Sequence, residues 1–587
     1  MVGPKYVRRL RAAGLPHDRT LRPALRARPH PPEETRSDMT TTTVTEAPAP
    51  EVRYSSELVA QFRGDGYWRD ESLTQWVKHW ADRKPDAVVV TDGDASLSWA
   101  ELRDQSARFA KALKGLGVVA GDRVQVQLPN WAEFTVVYAG IARIGAVLVP
   151  TMPIYRSDEV RYVFQHSAAK VSVVPTTYKG FDHAGMVGAL RDEVETLTGI
   201  VTVRGRAEGA LCFEDVITGP VPSDDELGPV PSADAPHAIM YTSGTESRPK
   251  GCTHTFNTMS FTMYGLGQDI LGYGPDSVVF MPSPVTHATG LAMGVASPIV
   301  AGSAIHLMPA WEAKDGLRRI QEFGCTHTMT ATPFVRMALD ALTPEDDLSK
   351  LEVWASAGAP IPASLLTEFQ SALSTTVLLP VYGSSEGLLA TACRLDDPAD
   401  KVLTSDGRPN PGVVMELRAE DGSVVRAGQA GEGEICFGGP GLMLGYWNDP
   451  DKTRAAIDEQ GLLSTGDVGR FDEDGFMRVT GRIKDIIIRG GTNISAREVE
   501  DNLLAHDRVA AVAVVPVPDE RLGEIGCAFV VPKGEPPTLE ELCTFLRDDR
   551  KIAIQKLPEM LRIVDSLPMT ATGKVQKFVL KTQLATS

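Results

Sequence analysis

Leu102, Phe109, Leu113 and Leu116 fall on one side of a helix, Ser98 and Glu101 form a capping box ahead of them, and Gly117 supplies a stop, so the pattern predicts a helix over about 99–116. Alternating Val124-Gln-Val-Gln-Leu128 follows, then a helical stretch from Trp131, then the apolar strand Ala146-Val-Leu-Val149 closed by Pro150. This β-α-β rhythm implies a mostly parallel sheet with helical crossovers. Further strands are predicted at Val171–Val174, Val278–Met281, Ala304–Leu307 and Val377–Leu379, giving one large α/β body to about residue 395. From about 400 to 480 Gly and Asp increase and short strands such as Gly433–Ile435 take over, as in a small β-rich subdomain that would wall one side of a cleft. The last hundred residues read as a separate α+β unit: a helix near Ala496–Ala505, strands at Val509–Val517 and Cys527–Val531, and a helix capped by Thr538 with Glu541. The charged turn at Lys484-Asp485 marks the boundary, so the expected domains are 51–484 and a mobile 485–587.

Composition narrows the class. At 587 residues the chain exceeds one hydrophobic core, and a formal charge of -17 disfavours nucleic acid or an anionic membrane surface as a partner. The apolar run Phe134–Met152 is broken by Arg143, Gly140 and Gly145 and predicts a buried helix followed by a strand, with no membrane span. Seven scattered cysteines without a C-x-x-C pair indicate neither a disulfide framework nor a zinc site, and a reducing cytoplasm fits best. Residues 1–50 form a basic, then Thr/Pro-rich extension expected to be disordered. It has no apolar core of signal-peptide length; a transit peptide, a basic arm and an upstream start chosen in place of Met39 all remain open.

The chemistry concentrates in loops. Tyr241-Thr-Ser-Gly-Thr-Glu-Ser-Arg-Pro-Lys-Gly251 packs hydroxyls, glycines and a lysine behind the apolar His237-Ala-Ile-Met240, so a strand is expected to lead into a loop rich in backbone N–H donors, suited to polyphosphate. Its spacing is not that of a Walker A loop. Such a loop alone is more often a surface turn than a phosphate site. Five other segments stand out in order: Ser356-Ala-Gly-Ala-Pro360, Tyr382-Gly-Ser-Ser-Glu386-Gly, Ser464-Thr-Gly-Asp467, Gly481-Arg-Ile-Lys-Asp485 and Pro568-Met-Thr-Ala-Thr-Gly-Lys574.

Together these six segments resemble, in kind and order, the motifs of the adenylate-forming superfamily, which includes acyl-CoA synthetases, peptide-synthetase adenylation domains and luciferases. The resemblance covers about residues 70–580. It implies a large N-terminal domain of parallel-sheet α/β subdomains with a small β-rich subdomain, then a small mobile α+β domain. It also implies an enzyme using ATP, Mg²⁺ and coenzyme A to activate a small carboxylic acid. Thr242, Ser243, Gly244, Thr245 and Lys250 would cradle the β- and γ-phosphates, where a departing pyrophosphate needs preorganised donors. Glu386, the one carboxylate in its loop, would hold Mg²⁺. Gly358, Ala359 and Pro360 would lie on the adenine side, with Tyr382 stacked on the base beside Gly383 and Ser385; a core tyrosine would look the same in sequence.

By the same resemblance Asp467 and Arg482 would bind the ribose, and Lys574 would neutralise the α-phosphate and the attacking carboxylate oxygen. Lys577 is expected to face solvent. His287 would close the acyl site or guide the carboxylate, with a core histidine as the plain alternative, and Ala288, Gly290, Thr330, Ala357, Gly358 and Gly383 would lie near the acyl pocket. After pyrophosphate leaves, rotation about Asp485 would bring Gly490 and Gly491 in to line a thiol tunnel.

Two departures stand against this pattern. Glu246 and Ser247 occupy loop positions where the family usually has Gly-containing sequence; Glu246 would point outward or pair with Arg248. Ser495-Ala496 replaces the family's common aromatic–proline pair near the thiol tunnel. The reading is an acyl-CoA synthetase for a medium-chain, alicyclic or aromatic acid. Its alternatives are transfer to a carrier protein in trans or another small nucleophile, and an inactive nucleotide-binding homologue.

Overall fold

The computed structural model describes residues 54–242, 248–359, 361–490, 492–570 and 574–585. The predicted helix spans Trp99–Gly115, capped by Ser98 and Glu101 as the sequence implied, and Gly117 follows with φ +78°. The helix Ala132–Arg143 is buried on all sides and crosses it so closely that a β-carbon on Gly140 would sit 2.8 Å from the Phe109 ring and 2.9 Å from the Ser106 carbonyl. The strand Val147–Pro150 comes next, so the apolar run is a core helix and strand. No helix among the described residues is long and apolar enough to cross a membrane.

The α/β body expected as one piece contains two large sheets among the described residues, beside a two-stranded hairpin at Thr177–Tyr178 and Phe181–Asp182. The nine-stranded sheet has a parallel centre, Val377–Tyr382, Val353–Ala357, His327–Ala331, Val278–Met281, Ala304–Leu307 and Val88–Thr91, with short antiparallel strands at its edges. The eight-stranded sheet is parallel from Pro236–Tyr241 outward through Val147–Pro150 and Arg123–Val126, and Gly251–Thr255 joins it antiparallel. A continuous apolar core including Phe109, Phe134, Met281 and Leu379 links the two. The Gly-rich region forms a five-stranded antiparallel sheet from Val414–Arg418 to Met477–Arg482.

Past the 3₁₀ turn Ile483–Asp485, the chain builds its own five-stranded sheet around Gly523–Pro532 and Val509–Asp519, with its own core of Ile487, Val499, Val514 and Leu542. Ser495 caps the helix Ala496–Leu503 and donates to the Thr480 carbonyl across the turn at 2.6 Å. Lys577 corrects the sequence reading: instead of facing solvent it is half-buried, with Nζ 2.7 Å from Glu500 Oε1 and 3.8 Å from Asp485 Oδ2. Burial raises the Glu500 carboxyl above the usual range, so the lysine offsets a charge the core would otherwise reject. A single sequence gave Lys577 no visible partner because Glu500 lies on a distant helix.

All seven cysteines are free, six of them buried. Five histidines, His237, His254, His287, His306 and His327, are held down to about pKa 4 chiefly by desolvation. Their ordinary value is 6.5, so between those values the unfolded chain binds protons that the fold refuses. Stability should therefore fall as pH drops from about 6.5 toward 4, by on the order of 1.4 kcal/mol per histidine and pH unit, with no contribution above that window. Thermal melts at pH 7 and pH 5 check this; equal midpoints would refute it.

Candidate active site

The carboxyl ends of the parallel strands in the nine-stranded sheet turn toward one cleft, the usual place for a ligand in an open α/β sheet. Val353–Ala357 ends at Gly358, whose φ of +81° suits glycine, and Thr332 Oγ1 donates to the Ala359 carbonyl at 2.9 Å to hold that turn. Val377–Tyr382 runs into Gly383, where a β-carbon would lie 1.7 Å from the Leu388 carbonyl, so a bare backbone is required. The cleft is lined by Ser283, Pro284, His287, Thr289, Ala331, Phe334, Ala357, Gly358 and Lys574.

Lys574 reaches this cleft from the C-terminal unit. Its backbone N–H donates to Thr570 Oγ1 at 3.0 Å and its carbonyl accepts from Thr570 N at 2.7 Å, a tight return that presents the side chain. Lys574 Cε lies 3.8 Å from where a β-carbon of Gly358 would be, so the missing side chain makes room for the lysine stem. Desolvation, then the positive Arg482, lowers the ammonium pKa, while Asp467 and Glu386 oppose the shift. His287 is neutral at ordinary pH through burial, with Lys574 adding to the shift, and its Nδ1 faces the Thr289 N–H at 3.5 Å.

Two hydrogen-bonded clusters flank the cleft. Asp467 and Arg482 sit opposite each other on adjacent strands, and Arg482 Nε donates to Asp467 Oδ1 at 2.7 Å. Tyr382 donates to Asp467 Oδ2 at 2.9 Å, so both carboxylate oxygens are already held in a buried site. On the other side Tyr446 donates to Glu386 Oε1 at 3.0 Å, and Lys250 Nζ stands 4.8 Å over the Tyr446 ring. His254, on the strand after the phosphate loop, donates through Nε2 to the Ser385 carbonyl at 2.8 Å and ties that strand to the Glu386 loop. The stems of the loop are paired: Tyr241 faces Gly251 and Thr242 N donates to the Lys250 carbonyl at 2.9 Å.

Lys574, His287, Ala357 and Gly358 thus meet in one cleft, Tyr382, Asp467 and Arg482 in one cluster, and Glu386 and Lys250 on either side of Tyr446. Ser243, Gly244, Thr245, Pro360 and Gly491 lie outside the described residues. Gly490 makes a turn at φ +56°, with its N–H on the Leu522 carbonyl at 2.7 Å, and does not line the cleft. Thr330 is buried and accepts from Trp354 Nε1 at 2.8 Å, beside Ala331, which lines the cleft, as alternation along a strand requires. Ala288 follows the cleft-lining His287, and Gly290 packs against the backbone of Pro284, itself a lining residue. Phe334 and Tyr446 escaped the sequence reading. Phe334 hides in an ordinary amphipathic helix, Thr332–Ala341, and Tyr446 sits in a two-residue strand with no loop signature.

Comparison with known proteins identifies the family. The AMP-binding enzyme family matches residues 77–447, and the AMP-binding enzyme C-terminal domain matches residues 498–574. The chain is 34% identical over 545 residues to the medium-chain fatty-acid–CoA ligase of Escherichia coli, spanning 90% of this chain and 93% of that protein. It is 32% identical over 531 residues to the 2,3-dihydroxybenzoate-AMP ligase of Bacillus subtilis, spanning 90% and 96%. Among solved structures, the anthranilate CoA ligase AuaEII in complex with anthranoyl-AMP superposes with a TM-score of 0.79 at 26% identity, covering 88% of this chain and 98% of that one.

Proposed function

The chain belongs to the AMP-binding enzyme family and is an AMP-forming acid–thiol ligase, and from that premise we propose that the Lys574 cleft joins a medium-chain, alicyclic or aromatic acid to AMP and then passes the acyl group to coenzyme A. The observation that carries the reading is Lys574, delivered from a separate unit to within 3.8 Å of the β-carbon position at Gly358, facing His287.

In the first step a carboxylate oxygen of the acid attacks the α-phosphorus of ATP and the bond to pyrophosphate breaks. Lys574 places positive charge where the carboxylate and α-phosphate, both anionic, must approach. Thr242 and Lys250 hold the departing phosphates, and Asp467 with Arg482 orients the ribose. Neutral His287 at the cleft wall orients the carboxylate without adding charge. Glu386 suits Mg²⁺ because this ion commonly takes one or two carboxylates and completes its shell with phosphate and water; among the described residues no cluster of three or more His, Cys, Asp or Glu forms a cage of its own. The ion would offset phosphate charge beside Lys250.

In the second step a thiol sulfur attacks the acyl carbon and AMP leaves. Ser495 favours a second reading of the acceptor: its hydroxyl is engaged with Thr480 and with the cap of Ala496–Leu503 where the family commonly has an aromatic residue. Under that reading the acyl group goes to a carrier protein or another small nucleophile. Acid-dependent ATP–pyrophosphate exchange over aliphatic, alicyclic and aromatic acids, with mass detection of acyl-CoA, tests both. Exchange with thioester supports the ligase and names its acid; exchange without thioester moves the acceptor; no exchange with any acid overturns the adenylation reading.

A further inference from the structure

Asp158, Tyr162 and His166 recur at every fourth residue of the helix Ser157–Ser167 and form one stripe, while Val160, Val163, Phe164 and Ser167 bury the other side. Each member of the stripe meets a different point on the stems of the phosphate loop. Asp158 accepts from Arg248 Nη1 at 2.8 Å, Tyr162 donates to the Pro249 carbonyl at 2.9 Å, and His166 Nδ1 shares a hydrogen bond with the Tyr241 hydroxyl at 2.8 Å. The rings reinforce the set: Tyr162 and His166 stack at 5.3 Å and 24°, both present to Tyr241 edge-on, and the Arg248 guanidinium stands 5.4 Å from the Tyr162 ring. The His166 carbonyl is itself held by Asn448 Nδ2 at 3.2 Å.

The contacts fall on both sides of the loop. Tyr241 ends the strand that enters it, and Pro249 immediately precedes Lys250, whose carbonyl closes the stem on Thr242 N. We propose that Tyr162 is a positioning residue for ATP: with Asp158 and His166 on the same stripe, it fixes both stems of the phosphate loop and so the place from which Lys250 meets the nucleotide. This inference rests on the reading that Thr242–Lys250 holds the phosphates.

The stripe is separate from the apolar side of its helix, which lets its effect be read apart from folding. The test is titration calorimetry of the full chain with ATP and Mg²⁺, beside melts and the exchange KM for the acid, in Tyr162→Phe and Asp158→Asn. Tyr162→Phe loses one hydroxyl, and the dissociation constant for ATP should rise about fivefold while the acid KM and the melting midpoint stay. Asp158→Asn, at an exposed position, should weaken ATP about twofold and keeps the inference open to refutation should the tyrosine variant not fold. Unchanged ATP affinity in both variants, or an acid KM rising in step with that for ATP, would overturn the positioning role alone. Wild-type protein that does not bind ATP would instead remove the phosphate-loop reading beneath it.

Discussion

Lys574→Ala should lower acid-dependent ATP–pyrophosphate exchange by about 100- to 1,000-fold, the usual range for deleting one preorganised charge-stabilising donor, while thiolysis of a supplied acyl-adenylate stays close to wild type. The asymmetry follows from where charge develops. Adenylation brings two anions together in the cleft that Lys574 enters, whereas thiol attack on the acyl carbon needs no neutralisation of an incoming carboxylate. Lys574 is on a turn of the C-terminal unit, tied by Thr570 and outside any core cluster, so the truncation should not unfold the protein. Equal loss of both steps would show that the residue supports the fold or a shared step. The wild-type pH profile gives a second check: the depressed Lys574 pKa means the ammonium loses its proton below the ordinary lysine range, so exchange should fall on the alkaline side earlier than an ordinary lysine would allow.

Asp467→Asn should cost about 10- to 100-fold in kcat/KM for ATP and little in KM for the acid. The substitution keeps shape but removes a charge to which Arg482 and Tyr382 both donate, and hydrogen bonds to a charged group are the stronger kind. It also removes a carboxylate that helps keep the Lys574 proton in place, leaving Glu386 alone to oppose Arg482. The alkaline limb of exchange should therefore move to lower pH in the variant. An unchanged KM for ATP, or a KM for the acid that rises as much, would separate Asp467 from the nucleotide.

Much of this was legible because the relevant signals are local. A capping box and an apolar stripe set the helix Trp99–Gly115, and short, mostly apolar runs set Val278–Met281 and Ala304–Leu307 to the residue. What stayed hidden depends on contacts between distant segments. Periodicity cannot tell one sheet from two, because strands of either carry the same apolar run. Which face of the strand His327–Ala331 is covered could not be read, since a strand's two faces are equivalent until one is packed, here that of Thr330 by Trp354. Lys577 looked like surface until Glu500 and Asp485 came beside it. Tyr446 and Phe334 carry no motif, and only the fold brings one to Glu386 and the other to the cleft.

His254 carries a consequence for where protons sit. A carbonyl can only accept, so the hydrogen bond to Ser385 assigns the single proton of the neutral ring to Nε2 and leaves Nδ1 bare toward the Thr258 hydroxyl, 3.2 Å away. The spacing between the strand behind the phosphate loop and the Glu386 segment is thus written in a tautomer. A substitute must supply a donor at that one position and no charge at the other, a demand met by neither lysine nor phenylalanine, although both would fill the space.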